Sequence, residues 1–280
     1  MKTIIHATDF SDNAISALKY AYALSKKTKS VLWVVHIFNN ATLASTLNDP
    51  ILLPIEESIQ QKNAKLKEFC KSHLEGEFDS LNIKIEAIED SSVVTGIISK
   101  ADELYASMIV TGMKGKRVFK ELLIGSTTRK LIEKAPCPIL AIPLNATLDT
   151  IKTIVYTTDF EEEDISAIFR LTEIAKIYNA TIKIIHVSSK KDVDSQQEME
   201  WFKEILTQKV TYKNLEFEVV FSDDTYTTLL QYLDVVKADL LAMLERDKKG
   251  LFKKIFHKDL VKKMESKIQI PLISFNEINY

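Results

Sequence analysis

Predicted strands and amphipathic helices alternate along the chain. Residues 2–8 predict a buried strand, and residues 30–38 form a continuous apolar run, as expected for a strand covered on both faces. Between them, Ile15, Leu18 and Tyr22 fall on one face of a helix predicted over about 12–27. The further predicted elements are a helix at about 56–73, a strand at 82–88, a helix at about 92–105, a strand at 107–111, a helix at about 126–133 and a strand at 139–142. Strands that alternate with helices form parallel sheets, so the predicted class is α/β.

The chain also contains an internal repeat. Sixteen residues from Thr3 (TIIHATDFSDNAISAL) align with sixteen from Thr153 (TIVYTTDFEEEDISAI), a spacing of 150, and eight positions are identical. Near the end of each copy Pro138 aligns with Pro271, so the spacing falls to 133 and the second copy is 17 residues shorter (150 − 133). We therefore predict two five-stranded domains in tandem, at residues 1–145 and 150–280.

Composition and charge exclude several classes of protein. The chain is 46% hydrophobic with a net charge of −2, which gives material for a core and excludes the basic footprint of a nucleic-acid or anionic-membrane binder. Two cysteines, Cys70 and Cys137, cannot form a disulfide framework. The N-terminal residues resemble no signal peptide, and the uncharged stretch 30–48 turns polar at Asn39. We expect a cytoplasmic protein with no nucleic-acid and no membrane partner.

Glycine is concentrated after the fourth predicted strand. Three of the six glycines, Gly112, Gly115 and Gly125, fall within fourteen residues, and a helix is predicted from Ser126. Such a segment suits phosphate, because glycines allow close backbone approach and a helix N-terminus carries partial positive charge. Hydroxyls of Ser126 and Thr127 can donate to phosphate oxygens. Nearby positive charge comes from Lys114, Lys116 and Arg117. The alternative is that the first two glycines only turn the chain and that Gly125 or Ser126 caps the helix.

Asp9 follows the first strand, at the edge where parallel sheets bind ligands. Its carboxylate can contact a ligand or cap the next helix near Ser11 and Asp12, and the residues alone leave both open. The five histidines show no metal-ligand spacing, and His36 and His186, which are equivalent in the repeat, are interpreted as structural residues at strand ends.

Together these features resemble a tandem universal stress protein, with two copies of that domain covering essentially all 280 residues. The residues that carry the resemblance are Asp9, the strand ending in His36-Ile37, and Gly112-x-x-Gly115-x9-Gly125-Ser126, whose spacing is similar to the ATP-binding signature of the family. The resemblance implies two Rossmann-like domains with strand order 3-2-1-4-5. The order of the strands then reverses between the first and the fourth.

The resemblance also implies ATP as the ligand and allows a Mg²⁺ ion with it. Asp9 would contact the adenosine part, and the backbone of Ile37 would meet the adenine. The ribose and the phosphates would be held by Thr111, Gly112, Gly115, Gly125, Ser126 and Thr127. One departure is Thr111, which stands where the family often has a larger apolar residue.

The second copy lacks the glycine pattern. A spacing of 133 replaces the three glycines and Ser126 by Glu245, Lys248, Lys258 and Asp259, and a spacing of 132 gives Leu244, Asp247, His257 and Lys258. Side chains there would obstruct phosphates, so we expect nucleotide binding in the first domain alone. The stretch from Arg246 to Lys267 carries nine basic and three acidic residues. It indicates a solvated helix face or, alternatively, a docking surface for an acidic partner.

Three functions are compatible with this sequence. The first is an ATP-binding regulatory protein of the stress response that acts through an unknown protein partner. The second is a slow ATP hydrolase, although no nucleophile with a matched base is evident, so we expect at most a weak ATPase. The third is a scaffold with vestigial nucleotide sites. Single-domain universal stress proteins dimerise through their last strand, so the resemblance implies an intrachain pseudo-dimer that pairs 138–142 with 271–275, and it allows a homodimer.

Overall fold

The structure is a computed structural model, and it describes residues 2–40, 54–75, 82–113, 125–144, 146, 150–189, 194–245 and 270–276. The described elements fall into two compact units, each an alternation of strands and helices around a parallel sheet. The predicted α/β class is therefore confirmed. The basic stretch from Arg246 to Lys267 and the residue Gly115 lie outside the described residues. No helix within the described ranges is long and apolar enough to cross a membrane.

The first unit contains five parallel strands in the order β3-β2-β1-β4-β5, which is the order predicted. Its elements are β1 (Thr3–Ala7), α1 (Asp12–Thr28), β2 (Val31–Phe38), α2 (Ile55–His73), β3 (Ile83–Glu89), α3 (Val93–Glu103), β4 (Met108–Gly112), α4 (Ser126–Lys134) and β5 (Ile139–Ile142). The carboxyl ends of β1 and β4 are neighbours at the reversal of strand order. A ligand site is expected at this edge.

The second unit repeats the arrangement, with parallel strands in the order β8-β7-β6-β9-β10. Its elements are β6 (Thr153–Thr157), α5 (Glu162–Tyr178), β7 (Thr181–Ser188), α6 (Ser195–Lys209), β8 (Leu215–Phe221), α7 (Thr225–Val235), β9 (Leu240–Glu245) and β10 (Leu272–Asn276). All six residues of β9 are buried, as expected for a central strand covered on both faces.

The buried face of α1 differs from the predicted stripe. Leu18 is fully buried, but Ile15 and Tyr22 are only partly buried. The residues in the centre of the buried face are instead small: Ala14, Ala17 and Ala21. Small side chains let a helix lie close to a sheet, and α1 packs against β4. In α5 the predicted Ile168, Leu171 and Ala175 are all buried, while Tyr178 is partly buried.

Strand register decides which residue of the second unit corresponds to Gly112. Ile4 pairs with Met108 in the first unit, and its counterpart Ile154 pairs with Leu240 in the second. The spacing between β4 and β9 is therefore 132 (240 − 108), so Leu244 corresponds to Gly112. The assignment of Glu245 by the spacing of 133 is wrong, because that spacing holds only for the last strands.

Candidate functional site

A cleft of about 150 Å³ opens at the carboxyl edge of the first sheet, beside the ends of β1 and β4. Five of the eight predicted site residues line it: Asp9, Ile37, Thr111, Gly112 and Thr127. Gly125 and Ser126 directly precede Thr127 at the start of α4 and do not themselves line the cleft. The eighth, Gly115, lies outside the described residues. The structure thus brings together two segments that are separated by about a hundred residues in the sequence.

The cleft has an apolar and a polar side. Ile37, Val93 and Ile97 supply apolar surface, whereas Thr8 and Asp9 supply oxygen atoms. Its volume is about half of the roughly 300 Å³ at the lower end of typical small-molecule sites. The described cleft can therefore enclose a ring-sized part of an amphipathic ligand, and the remainder must extend beyond it.

Asp9 braces the turn between β1 and α1. Its Oδ1 accepts a hydrogen bond from the Ser11 backbone N–H at 3.0 Å, and the Thr8 hydroxyl oxygen accepts one from the Phe10 N–H at 3.0 Å. Phe10 has a φ of 65°, a left-handed conformation that non-glycine residues seldom adopt. Ser11, rather than Asp9, is the N-cap of α1, and its side chain accepts from the Ala14 N–H. Asp9 itself stays exposed at the cleft.

His36 fastens the end of β2 to this turn. Its Nδ1–H donates to the Thr8 carbonyl oxygen at 2.9 Å, and its ring centroid lies 4.5 Å from that of Phe10. Burial lowers the pKa of His36 below its usual value, so the ring is neutral at pH 7. His186 makes the same bond to the Thr158 carbonyl in the second unit, at 2.7 Å. The structural role predicted for both histidines agrees with these contacts.

Gly112 is required by close packing at the end of β4. A Cβ atom at this position would lie 2.7 Å from the backbone carbon and oxygen of Asn13, in the first turn of α1. The sequence suggested that glycine serves ligand approach here, but the neighbouring helix already explains it. Thr111 is buried, and its hydroxyl oxygen accepts a hydrogen bond from Thr128 at 3.3 Å, which ties α4 to β4.

Gly125 has different surroundings. It is the N-cap of α4 with a φ of −57°, which any residue adopts, and a Cβ atom there would meet no described residue within 4 Å. The described fold therefore gives no reason for glycine at this position. The helix that follows receives no side-chain cap from the described residues, and its first turn contains no acidic residue. Its first N–H groups and its partial positive charge suit an anion beside Thr127.

Several residues that line the cleft were not predicted as site residues, and among them are Ala14, Val93 and Ile97 from helices α1 and α3. The sequence feature that could have indicated that α3 contributes to the site was Gly96. It lies inside the helix, where glycine lowers helix stability by about 1 kcal/mol relative to alanine. A Cβ atom at Gly96 would lie 3.0 Å from Cγ2 and 3.1 Å from Cδ1 of Ile37. The glycine thus lets α3 approach β2 closely and sets the position of the Ile37 side chain.

No group of three acidic, histidine or cysteine side chains that could hold a metal occurs within the described ranges. Asp9 is the one carboxylate in the described lining of the cleft. Magnesium accompanying a nucleotide takes most of its ligands from phosphate oxygens and water. The described residues therefore suit a metal ion that is carried in by the nucleotide, and they do not form a dedicated metal site of their own.

Comparison with known proteins identifies the family. A model described as "Universal stress protein family" matches residues 1–143, just over half of the 280 residues. Universal stress protein MJ0577 of Methanocaldococcus jannaschii is 27% identical over 156 residues, which align 50% of this chain with 94% of that protein. YxiE of Bacillus subtilis, also a universal stress protein, is 26% identical over 144 residues, covering 49% of this chain and 95% of that protein.

The fold of the whole chain also has a solved counterpart. A universal stress protein from Archaeoglobus fulgidus DSM 4304 matches with a TM-score of 0.70 over 98% of both chains, at 16% sequence identity. The likeness concerns the fold, and it extends through the second unit, where the glycine pattern is lost. The family match over residues 1–143, just over half of the chain, shows that the chain belongs to the universal stress protein family.

Proposed function

We propose that the first unit binds ATP and that the chain acts as a nucleotide-dependent regulatory protein of the stress response. The observation that carries this proposal is the cleft at the reversal of strand order, which joins an apolar surface to the N-terminus of α4, where no described side chain caps the helix. A nucleotide has the same two parts, an apolar base and an anionic tail. The names of the related universal stress proteins support the link to stress.

In this proposal the adenine lies against the backbone of Ile37 and beside Val93. The exposed carboxylate of Asp9 accepts hydrogen bonds from the adenosine part. The phosphates extend to the first turn of α4, where Gly125 leaves open space and the hydroxyls of Ser126 and Thr127 donate. As the family resemblance implies, Thr111, Gly112 and Gly115 also contact the ribose and the phosphates in this proposal, and Mg²⁺ accompanies the phosphates.

The hydrogen bonds that the polar side chains of the cleft already make favour binding of ATP over its hydrolysis. Asp9 accepts a hydrogen bond from the Ser11 N–H, and the Nδ1–H of His36 is bonded to the Thr8 carbonyl. Both groups are engaged by the backbone of the turn between β1 and α1, so we infer that neither serves as the general base for a hydrolytic water. We therefore infer a regulatory role in which a protein partner reads the nucleotide-bound form, in preference to an ATPase or a scaffold with vestigial sites.

The test is mass spectrometry of small molecules released from the freshly purified full chain, followed by calorimetric titration with ATP. We expect about one ATP per chain and no rapid turnover. Asp9→Ala should weaken adenosine and ATP alike, whereas the matched control Asp12→Ala should not, because Asp12 is exposed on α1 and does not line the cleft. Two equivalent sites, or no binding at all, contradict the proposal.

We also propose the intrachain pairing of strands 138–142 and 271–275 that the family resemblance implies. A strand at the end of a sheet order presents unpaired backbone groups, which proteins normally cover or pair. Cysteines at Ala141 and Ser274, introduced after removal of Cys70 and Cys137, should then form an intrachain disulfide in dilute protein. If circular dichroism shows an intact fold and no such disulfide forms, the pairing is wrong.

A further inference from the structure

The second unit carries a buried carboxylate where the first unit has an alanine. The first two strands of each unit pair in the same register at a spacing of 150, since Thr3 pairs with Val31 and Thr153 with Thr181. Helices α1 and α5 keep this spacing, so Asp164 corresponds to Ala14. Ala14 lines the cleft of the first unit, whereas Asp164 is 1% exposed.

At least four donors among the described residues surround the carboxylate of Asp164. Its Oδ1 accepts from the Tyr156 hydroxyl at 2.7 Å. Its Oδ2 accepts from the Thr158 hydroxyl at 2.8 Å and from the backbone N–H groups of Asp159 and Glu161 at 3.1 and 3.2 Å. Helix capping accounts only for the bond from Glu161. The other three hold the carboxylate in the turn after β6, where a buried charge needs such partners.

The corresponding groups of the first unit are arranged differently. His6 stands at the position of Tyr156, and its Nδ1 is bonded to the Val110 carbonyl at 3.1 Å. The N–H of Ser11, which corresponds to Glu161, donates to Asp9 instead of to a carboxylate on the helix. The methyl group of Ala14 therefore leaves open, as part of the cleft, the space on this side of the turn.

We propose that the residue at this position decides whether a unit accepts a nucleotide. Ala14 keeps the first cleft open, while Asp164 fills the equivalent place in the second unit with an anion of the chain itself. This proposal rests on ATP binding by the first unit. It identifies Ala14 as a residue that determines specificity through its small side chain and not through a polar group. In the second unit, the carboxylate of Asp164 holds the turn after β6 without any ligand.

The first experiment transfers the second unit's pair into the first unit of the full chain as His6→Tyr with Ala14→Asp. We expect a folded protein whose affinity for ATP is at least about 100-fold weaker, because the carboxylate occupies the cleft and repels phosphates. Lys19→Asp, on the exposed side of the same helix, is the matched control and should bind within about twofold of the unmodified chain. A folded transfer variant that binds ATP like the unmodified chain overturns the proposal. If the pair does not fold, Ala14→Asn fills the same space without charge, and unchanged ATP affinity in that variant overturns the proposal equally.

The second experiment needs no nucleotide. Asp164→Ala, Tyr156→Phe and the double variant are compared by hydrogen exchange of residues 153–161 and by thermal unfolding of the full chain. Each single change should increase exchange in this turn, and the double change should add less than the sum, because both remove the same contact. Strictly additive effects, or unchanged exchange in Asp164→Ala, contradict the proposal. If the unmodified chain binds no ATP, the proposed function fails, while this second comparison still decides whether Asp164 holds the turn.

Discussion

Gly112 and Gly125 differ in what surrounds them, and substitution can separate their roles. An added Cβ would lie 2.7 Å from the Asn13 backbone at Gly112, whereas at Gly125 it would lie within 4 Å of none of the residues that the structure describes. We expect Gly112→Ala to lower the free energy of unfolding by about 1–3 kcal/mol through overpacking. Gly125→Ala should cost at most about 1 kcal/mol, the usual difference at a helix N-cap. Urea unfolding of the two variants measures both values, and equal losses would contradict the assignment of Gly112 to packing.

His6 makes the first unit sensitive to acid. The side chain is fully buried, burial lowers its pKa to about 4, and its Nε2 has no hydrogen-bond partner among the described residues. An unfolded histidine has a pKa near 6.5, so between the two values the unfolded chain binds more protons than the folded one. The stabilising effect of a neutral His6 is therefore complete above about pH 6.5 and is lost as the pH falls toward 4, by about 3 kcal/mol.

The two tryptophans allow this loss to be assigned to one unit. Trp33 lies in β2 of the first unit and Trp201 in α6 of the second. In a Trp201→Phe background, fluorescence-detected urea unfolding between pH 7 and 4.5 should show the decline, and His6→Gln should reduce its slope. A tyrosine, Tyr156, stands in the place of His6 in the second unit, so Trp201 in a Trp33→Phe background should report no matching decline. The same slope in His6→Gln and in the unmodified chain would exclude His6 as the cause.

Among the elements, α4 is the helix whose first turn is best placed to respond to a ligand. Its N-cap is Gly125, no side chain in the described part of the chain caps it, and its first turn contains no acidic residue. Gly125→Asp supplies a capping oxygen and a negative charge, so it should raise the free energy of unfolding by about 0.5–1 kcal/mol. The same carboxylate should prevent ATP binding, because it takes the N–H groups and repels the phosphates. Thermal unfolding and calorimetry measure the two effects, and tight ATP binding in this variant would contradict phosphate binding at α4.

Order and bounds of the elements were largely predictable, because each strand of this fold is a distinct apolar run followed by an amphipathic helix. The buried face of α1 was not, since alanines carry little hydrophobic signal although they govern how closely a helix packs. The roles of Val93 and Gly96 depend on which strand α3 crosses, and periodicity does not specify that. Leu244 could be aligned with Gly112 only from the backbone pairing between β6 and β9. The spacing between the two halves changes by one residue between β9 and the last strand, so an alignment made at the last strands is out of register at Gly112.

At the scale of the whole molecule, ATP should stabilise one unit and leave the other unchanged. A ligand at about a hundred times its Kd raises the free energy of unfolding by about 2.7 kcal/mol when it binds only the folded state. We expect this increase in the transition reported by Trp33 and not in the one reported by Trp201. Trp201 is 59% exposed, so its replacement by phenylalanine should disturb the second unit little. An equal increase in both transitions would contradict a single site.

The closure of the second cleft by Asp164, which we propose above, also limits how the chain can respond to nucleotide concentration. A dimer of identical single domains has two sites, whose occupancies can influence each other. A chain with one usable cleft has only an empty and a filled state, so its occupancy follows a simple hyperbola with a Hill coefficient of one. A steeper response then has to come from contacts between chains. The dependence of the Hill coefficient on protein concentration would therefore measure assembly, without any direct observation of an oligomer.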